Sequence, residues 1–99
     1  MLNIEKTIEK EAGSLTLAGR LDTVTAPELE QVIQEMLPGL TELTLDLTEL
    51  EYISSAGLRV LLSAQKAMNR QGRMTVTHVN ETIMEIFEVT GFLEILTVE

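Results

Sequence analysis

Cysteine is absent from this chain of 99 residues, so the chain can form no disulfide, no thiolate metal site and no cysteine nucleophile. It has one histidine, His78, and only six glycines. A metal site would need several converging ligands, and a phosphate-binding loop would need a glycine-rich segment, so neither kind of site is expected. With three aromatic residues in all, the chain offers no platform on which nucleic-acid bases could stack.

Long apolar runs and basic residues are also scarce. No stretch approaches the ~20 apolar residues of a membrane span, and the N-terminus lacks the apolar segment of a signal peptide. The chain has 7 basic and 16 acidic residues, which gives a formal net charge of −9. Such a surface repels nucleic acid and anionic lipid and steers basic partners towards it. We therefore expect a cytoplasmic protein with no nucleic-acid partner and no membrane insertion.

The apolar content is sufficient for a core. Hydrophobic residues make up 44% of the chain, and a chain of this length buries about 60 to 65% of the surface that its unfolded form exposes. One domain over residues 1–99 is the natural expectation.

Hydrophobic periodicity predicts the elements of that domain. Alternating apolar residues predict strands at residues 2–8, 14–19, 43–47, 74–79 and 93–98. Helical spacing predicts three helices, which begin after Thr25 (in a capping box with Glu28), at the pair Ser54-Ser55, and after Asn80. The order β-β-α-β-α-β-α-β predicts an α/β fold with an opening antiparallel hairpin and parallel strands thereafter. Because several strands have one apolar and one threonine-rich face, we expect a mixed sheet packed by helices mainly on one face.

Two serines stand where the second helix should begin. A serine there can cap the unpaired N–H groups of the first turn. The same N–H groups and the helix dipole would also stabilise a phosphate. Ser54 and Ser55 are therefore either an ordinary N-cap or a phosphorylation switch, and the local sequence leaves both open.

His78, Asp22 and Arg59 are further candidates for a functional role. Ser55 and His78 could serve a hydrolase only with a carboxylate behind the histidine. No pattern places one there and the Gly-x-Ser-x-Gly motif is absent, so we predict no catalytic residue and no enzyme. Asp22 is either a turn carboxylate or a group that shapes the Ser55 site. Arg59 is either a solvated charge or a contact for a partner.

Three segments of the chain resemble the STAS domain of anti-sigma factor antagonists. Residues 19–22, Gly-Arg-Leu-Asp, are similar to the family's Gly-x-Leu-Asp after the second strand. Asp46-Leu47 followed by residues 52–58 is similar to its strand and phosphorylation loop. Residues 72–92 are similar to its closing helix, with the Phe-x-x-x-Gly-Phe/Leu tail at residues 87–92. The family loop commonly has Asp-Ser-Ser/Thr-Gly. Alignment on Gly57 places the phosphorylated serine at Ser55, with Ser54 in place of the aspartate and Ala56 in place of the second hydroxyl.

The resemblance implies a partner-switching cycle without cofactor or metal. The unphosphorylated form would bind an anti-sigma factor with GHKL-type serine kinase activity and so release the sigma factor. Phosphorylation at Ser55 would end the complex, and a PP2C-type phosphatase would reset it. The residues expected near the phosphosite or the partner interface are Asp22, Thr23, Ser54, Ala56, Gly57 and Arg59. The alternatives are a STAS subunit that regulates an ABC-transporter ATPase without phosphorylation, and a scaffold in a signalling complex.

Overall fold

The computed structural model describes residues 1–99 and contains one four-stranded mixed sheet. Its strands lie in the order β1-β2-β3-β4, at Leu2–Glu9, Ala12–Leu21, Glu42–Ile53 and Arg73–Thr77. β1 and β2 form an antiparallel hairpin, whereas β2, β3 and β4 pair in parallel. The helices α1, α2 and α3 cover Ala26–Met36, Ser55–Gln71 and Glu81–Thr90. The predicted α/β class, opening hairpin and mixed sheet are confirmed.

The apolar face of the sheet packs against all three helices. Leu15 of β2 and Leu45 of β3 are register partners and both are fully buried. They belong to one continuous core of 24 buried residues, to which every helix contributes. The opposite face carries small polar pairs such as Ser14 with Thr44. The helices therefore lie on one face, as the alternation of leucine and threonine predicts.

β3 is longer than the alternating pattern predicts. The predicted strand stops at Leu47, but the observed strand continues to Ile53. Its buried residues beyond Leu47 are Leu50 and Ile53, three residues apart, because the pairing with β2 contains two register shifts. Such irregularities break the period of two that identifies a strand in sequence. The extra length carries the chain directly to Ser54 and the start of α2.

The predicted last strand, residues 93–98, is largely replaced by other structure. A 3-10 turn covers Phe92–Glu94, and the only sheet-like pairing is a parallel bridge between Val76 and Val98. Leu96 is buried against the core, while Leu93 and Ile95 remain 38% and 44% exposed. The segment thus covers the end of the core with one leucine. β4 has only five residues, which leaves little edge for a fifth strand.

Candidate functional site

The junction of β3 and α2 separates the roles of the two serines. Ser54 is the N-cap, and its Oγ accepts a hydrogen bond from the Gly57 N–H at 3.4 Å. Ser55 is the first helical residue and is exposed, and its hydroxyl takes no part in the side-chain hydrogen bonds of the protein. The cap and the candidate phosphoacceptor are therefore different residues. Because Ser54 supplies the cap, the Ser55 hydroxyl has no hydrogen-bond partner within the protein.

This division explains a departure from the common family loop. The N-cap position accepts aspartate and serine about equally well, since either side chain can receive an N–H of the first turn. Ser54, which aligns with the aspartate of the loop that this segment resembles, supplies such a cap. Ala56, in place of the second hydroxyl, packs against the edge of the core.

Gly57 sets how closely α2 approaches the sheet. A Cβ at this position would lie 2.7 Å from Leu21 Cγ and 2.9 Å from Ile53 Cγ1. Both neighbours are buried side chains, so little room exists for them to move. The glycine therefore seats the first turn of α2 against β2 and β3.

The turn between β2 and α1 lies against the same junction. The Ser54 N–H donates to the Leu21 carbonyl at 2.9 Å. Asp22 Oδ1 accepts the N–H groups of Val24 and Thr25, each at 3.1 Å. The hydrogen bond from the Thr25 N–H is the main cause that lowers the pKa of Asp22 below its usual value. Asp22 thus has the hydrogen bonds of a turn carboxylate, in a turn that lies against the start of α2.

The predicted capping box of Thr25 and Glu28 does not form. The Thr25 hydroxyl donates to the Arg20 carbonyl at 2.8 Å and accepts the Asp22 N–H at 2.9 Å, and it makes no capping bond. Thr25 is buried, and its hydroxyl pairs with backbone groups of Arg20 in β2 and of Asp22 in the turn that follows. The need to satisfy them overrides the local capping pattern.

Two shallow grooves flank the first turns of α2. The α1–α2 groove is lined by Thr23, Pro27, Glu30, Ala56 and Arg59, among others. The α2–α3 groove is largely apolar and is lined by Ser55, Leu58, Arg59, Leu62, Thr90 and Phe92. Arg59 lines both grooves. The structure therefore brings Thr23, Ala56 and Arg59 together on one side of the helix, and Ser55 and Arg59 on the other.

Arg20 and Tyr52 form a contact near this site that the sequence patterns did not identify. They are register partners on β2 and β3, and the Arg20 guanidinium lies 4.5 Å from the centroid of the Tyr52 ring. Arg20 Nε is also 3.9 Å from Asp22 Oδ2. The pairing of β2 with β3, including its two register shifts, places these two residues side by side. A pattern along one strand cannot predict such a contact.

His78 has a carboxylate partner, contrary to the expectation from sequence. Its Nδ1 lies 3.5 Å from Asp46 Oδ2. The pKa of Asp46 is held below its usual value chiefly by hydrogen bonds from Thr48, with His78 a smaller cause. However, Asp46 lies on β3 roughly 20 Å or more before Ser54, at 3.3 Å per residue. His78 and Asp46 therefore do not form a triad with Ser55.

No group of three or more histidine, cysteine, aspartate or glutamate side chains is arranged to hold a metal ion. None of the helices has the length and apolar character needed to cross a membrane.

Comparisons with known proteins identify the family. A family model described as "Mlab, STAS domain" matches residues 4–97. An anti-sigma-B factor antagonist of Staphylococcus aureus (strain NCTC 8325 / PS 47) is 31% identical over 99 residues, which cover 98% of this chain and 92% of the relative.

Solved structures share the fold. An anti-sigma factor antagonist from Mycobacterium paratuberculosis superposes with a TM-score of 0.89 at 21% identity, over 99% of this chain and 85% of the other. The phosphorylated form of the Bacillus cell fate determinant SpoIIAA superposes with a TM-score of 0.75 at 17% identity, over 100% of this chain and 91% of the other. Fold, family model and relative agree: the chain belongs to the STAS family of anti-sigma factor antagonists.

Proposed function

We propose that this protein is an anti-sigma factor antagonist that is switched by phosphorylation of Ser55. The unphosphorylated form binds a cytoplasmic anti-sigma factor that is also a GHKL-type serine kinase, and binding releases the sigma factor. The kinase ends the complex by phosphorylating Ser55, and a PP2C-type phosphatase restores the active form. The S. aureus relative supports the class of partner. The phosphorylated form of SpoIIAA supports the presence of a phosphate on this fold.

The observation that carries the proposal is the free, exposed hydroxyl of Ser55 beside a cap supplied by Ser54. A kinase requires a hydroxyl that it can reach. Phosphorylation of Ser55 would break no hydrogen bond of the fold. The first turn of α2 contains no acidic residue, and the helix dipole favours an anion there. The phosphorylated protein should therefore keep its fold.

The energy needed for such a switch is modest. A phosphate adds about −1.5 to −2 charges at pH 7 and three strong acceptor oxygens. Placed in an interface, it costs the complex a factor of ten in affinity for each ~1.4 kcal/mol of repulsion or lost contact. A few kcal/mol at Ser55 would thus dissociate the partner without a change in the fold.

The test is release of the partner by ATP. Immobilised unphosphorylated protein is loaded with extract from its own cells, washed, and treated with ATP and Mg²⁺. We expect a GHKL-type kinase to elute while phosphate appears on Ser55. Ser55→Ala should retain the kinase, and the control Ser54→Ala should release it as the wild type does. Release from Ser55→Ala, or phosphate on another residue, would contradict the proposal.

The same experiment identifies the alternative function. A STAS subunit that regulates an ABC-transporter ATPase would capture that ATPase. ATP would not place a phosphate on Ser55, and Ser55→Ala would behave as the wild type in every step. That outcome would replace the phosphorylation cycle with a constitutive complex.

A further inference from the structure

We infer that Arg59 is the internal counter-ion of a phosphate on Ser55, so that phosphorylation creates a Ser55–Arg59 ion pair. This inference deepens the proposed function and rests on it for its biological role. The inference names the side chain that contacts the phosphate within the protein. The family loop and the comparisons do not identify that contact.

The geometry of α2 brings the two side chains together. Ser55 and Arg59 are four residues apart on the helix, the spacing at which side chains lie on one face. Helical side chains lean towards the N-terminus, so the long Arg59 side chain extends in the direction of Ser55. Both residues line the α2–α3 groove. An anion on the serine with a cation four residues later is also the more favourable orientation of such a pair.

Arg59 is not committed to another partner. The three ion pairs of the protein involve Arg20, Arg73 and His78, and none includes Arg59. Arg59 is exposed, and the first turn of α2 carries no carboxylate that could compete.

Two carboxylates on neighbouring elements face this region. Glu30 of α1 shares the α1–α2 groove with Arg59, but the two make no ion pair. Asp22, before α1, is held by the N–H groups of its own turn and lies near Arg20. Neither group neutralises Arg59 before the phosphate is added.

The chemistry of the guanidinium suits this pair. Ser55 and Arg59 are both exposed, so water screens their attraction and the hydrogen-bond geometry decides the strength of the pair. A guanidinium can donate two parallel hydrogen bonds to phosphate oxygens, which a lysine cannot.

The pair changes how the switch acts on a partner. In the unmodified protein, Arg59 is a free cation beside the phosphoacceptor and is available to an acidic group of the partner. In the modified protein, Arg59 is turned towards its own phosphate. Phosphorylation therefore removes a cation from this surface as well as adding an anion.

The test is a titration of the phosphate itself. The full chain is produced with genetically encoded phosphoserine at position 55, as wild type, Arg59→Gln and Arg59→Lys. Arg70→Gln, in the last turn of the same helix, is the matched control. The ³¹P chemical shift is followed from pH 4 to 8, because an adjacent cation favours the dianion and lowers the second pKa of the phosphate.

We expect the midpoint of the wild type to lie below that of Arg59→Gln by about 0.3 pH units or more. Arg59→Lys should fall between them, and Arg70→Gln should match the wild type. Equal midpoints for the wild type and Arg59→Gln would overturn the inference. Because the phosphate is installed without a kinase, that result would leave the phosphorylation cycle untouched. Conversely, a Ser55 that is never modified in cells would leave the measured ion pair intact.

Discussion

The helices α2 and α3 begin in similar ways. At the start of α2, the Oγ of Ser54 accepts the N–H of Gly57 at 3.4 Å. At the start of α3, the Oδ1 of Asn80 accepts the N–H of Ile83 at 3.0 Å. Both caps have extended backbone conformations, as N-caps usually do.

The two junctions differ in how they are completed. Asn80 also donates to the Leu50 carbonyl at 2.7 Å and, more weakly, to the Leu47 carbonyl at 3.4 Å, so this cap is tied to β3. The next residue, Glu81, places a permanent negative charge in the first turn of α3. The cap of α2 makes one long bond, and an exposed Ser55 follows it. At the α3 junction, Asn80 and Glu81 already supply the cap and a negative charge. At the α2 junction, a negative charge would come only from phosphorylation of Ser55.

The largest effect expected is on the α3 junction. Asn80→Ala removes the cap and the amide donor to the Leu47 and Leu50 carbonyls, so it should reduce the free energy of unfolding by about 2 to 3 kcal/mol. Urea unfolding measures this value. Asn80→Asp keeps the capping oxygen but not the donor, and should fall between the two. A loss below about 1 kcal/mol for Asn80→Ala would show that the two junctions are equally loose.

A smaller effect is expected at Gly57. Gly57→Ala forces a methyl group against Leu21 and Ile53, and the overpacking should cost about 1 to 2 kcal/mol despite the better helix propensity of alanine. Ser63→Ala, at an exposed site of the same helix, is the control and should change stability by less than about 0.5 kcal/mol. A Gly57→Ala protein as stable as the wild type would mean that α2 can move away from the sheet.

The serine pair itself should separate cap from phosphoacceptor. Ser54→Ala should cost about 0.5 to 1 kcal/mol because it removes the cap. Ser55→Ala should change the free energy of unfolding by less than about 0.5 kcal/mol, since the Ser55 hydroxyl has no internal partner. Thermal and urea unfolding of the two variants measure which serine stabilises the helix start. The reverse order of effects would assign the cap to Ser55 and remove the free hydroxyl.

The turn that supports the α2 junction should weaken in acid. The pKa of Asp22 is lower in the folded protein than in the unfolded chain, mainly through the Thr25 N–H. Its contribution is therefore fully present above the unfolded pKa of about 3.9 and is lost as the pH falls through the folded value. Asp22→Asn should destabilise the protein at pH 7, and its difference from wild type should shrink at pH 3. A difference that is the same at both pH values would exclude the carboxylate charge as the cause.

Much of the fold could be predicted from sequence because its signals are local. The opening hairpin and the cap at Asn80 both occur as predicted. The second half of β3 and the loss of the last strand could not be predicted in this way. They depend on register shifts against β2 and on the short edge of β4, which are properties of strand pairing.

The candidate site, like the fold, could be predicted only in part from the sequence. The position of Ser55 follows from the motif, but the separation of its role from that of Ser54 requires the geometry of the cap. Asp22 had two interpretations in sequence, and its hydrogen bonds within the turn give it a local structural role. The partner of His78 was missed because Asp46 reaches it only through the pairing of β3 with β4.

Regulated phosphorylation of Ser55 can be tested by phosphosite mapping with mass spectrometry on the protein isolated from its native cells, during growth and under stress. We expect phosphate on Ser55, with an occupancy that changes between conditions, and none on Ser54. A Ser55 that stays unmodified in every condition would contradict this expectation and would favour a constitutive complex.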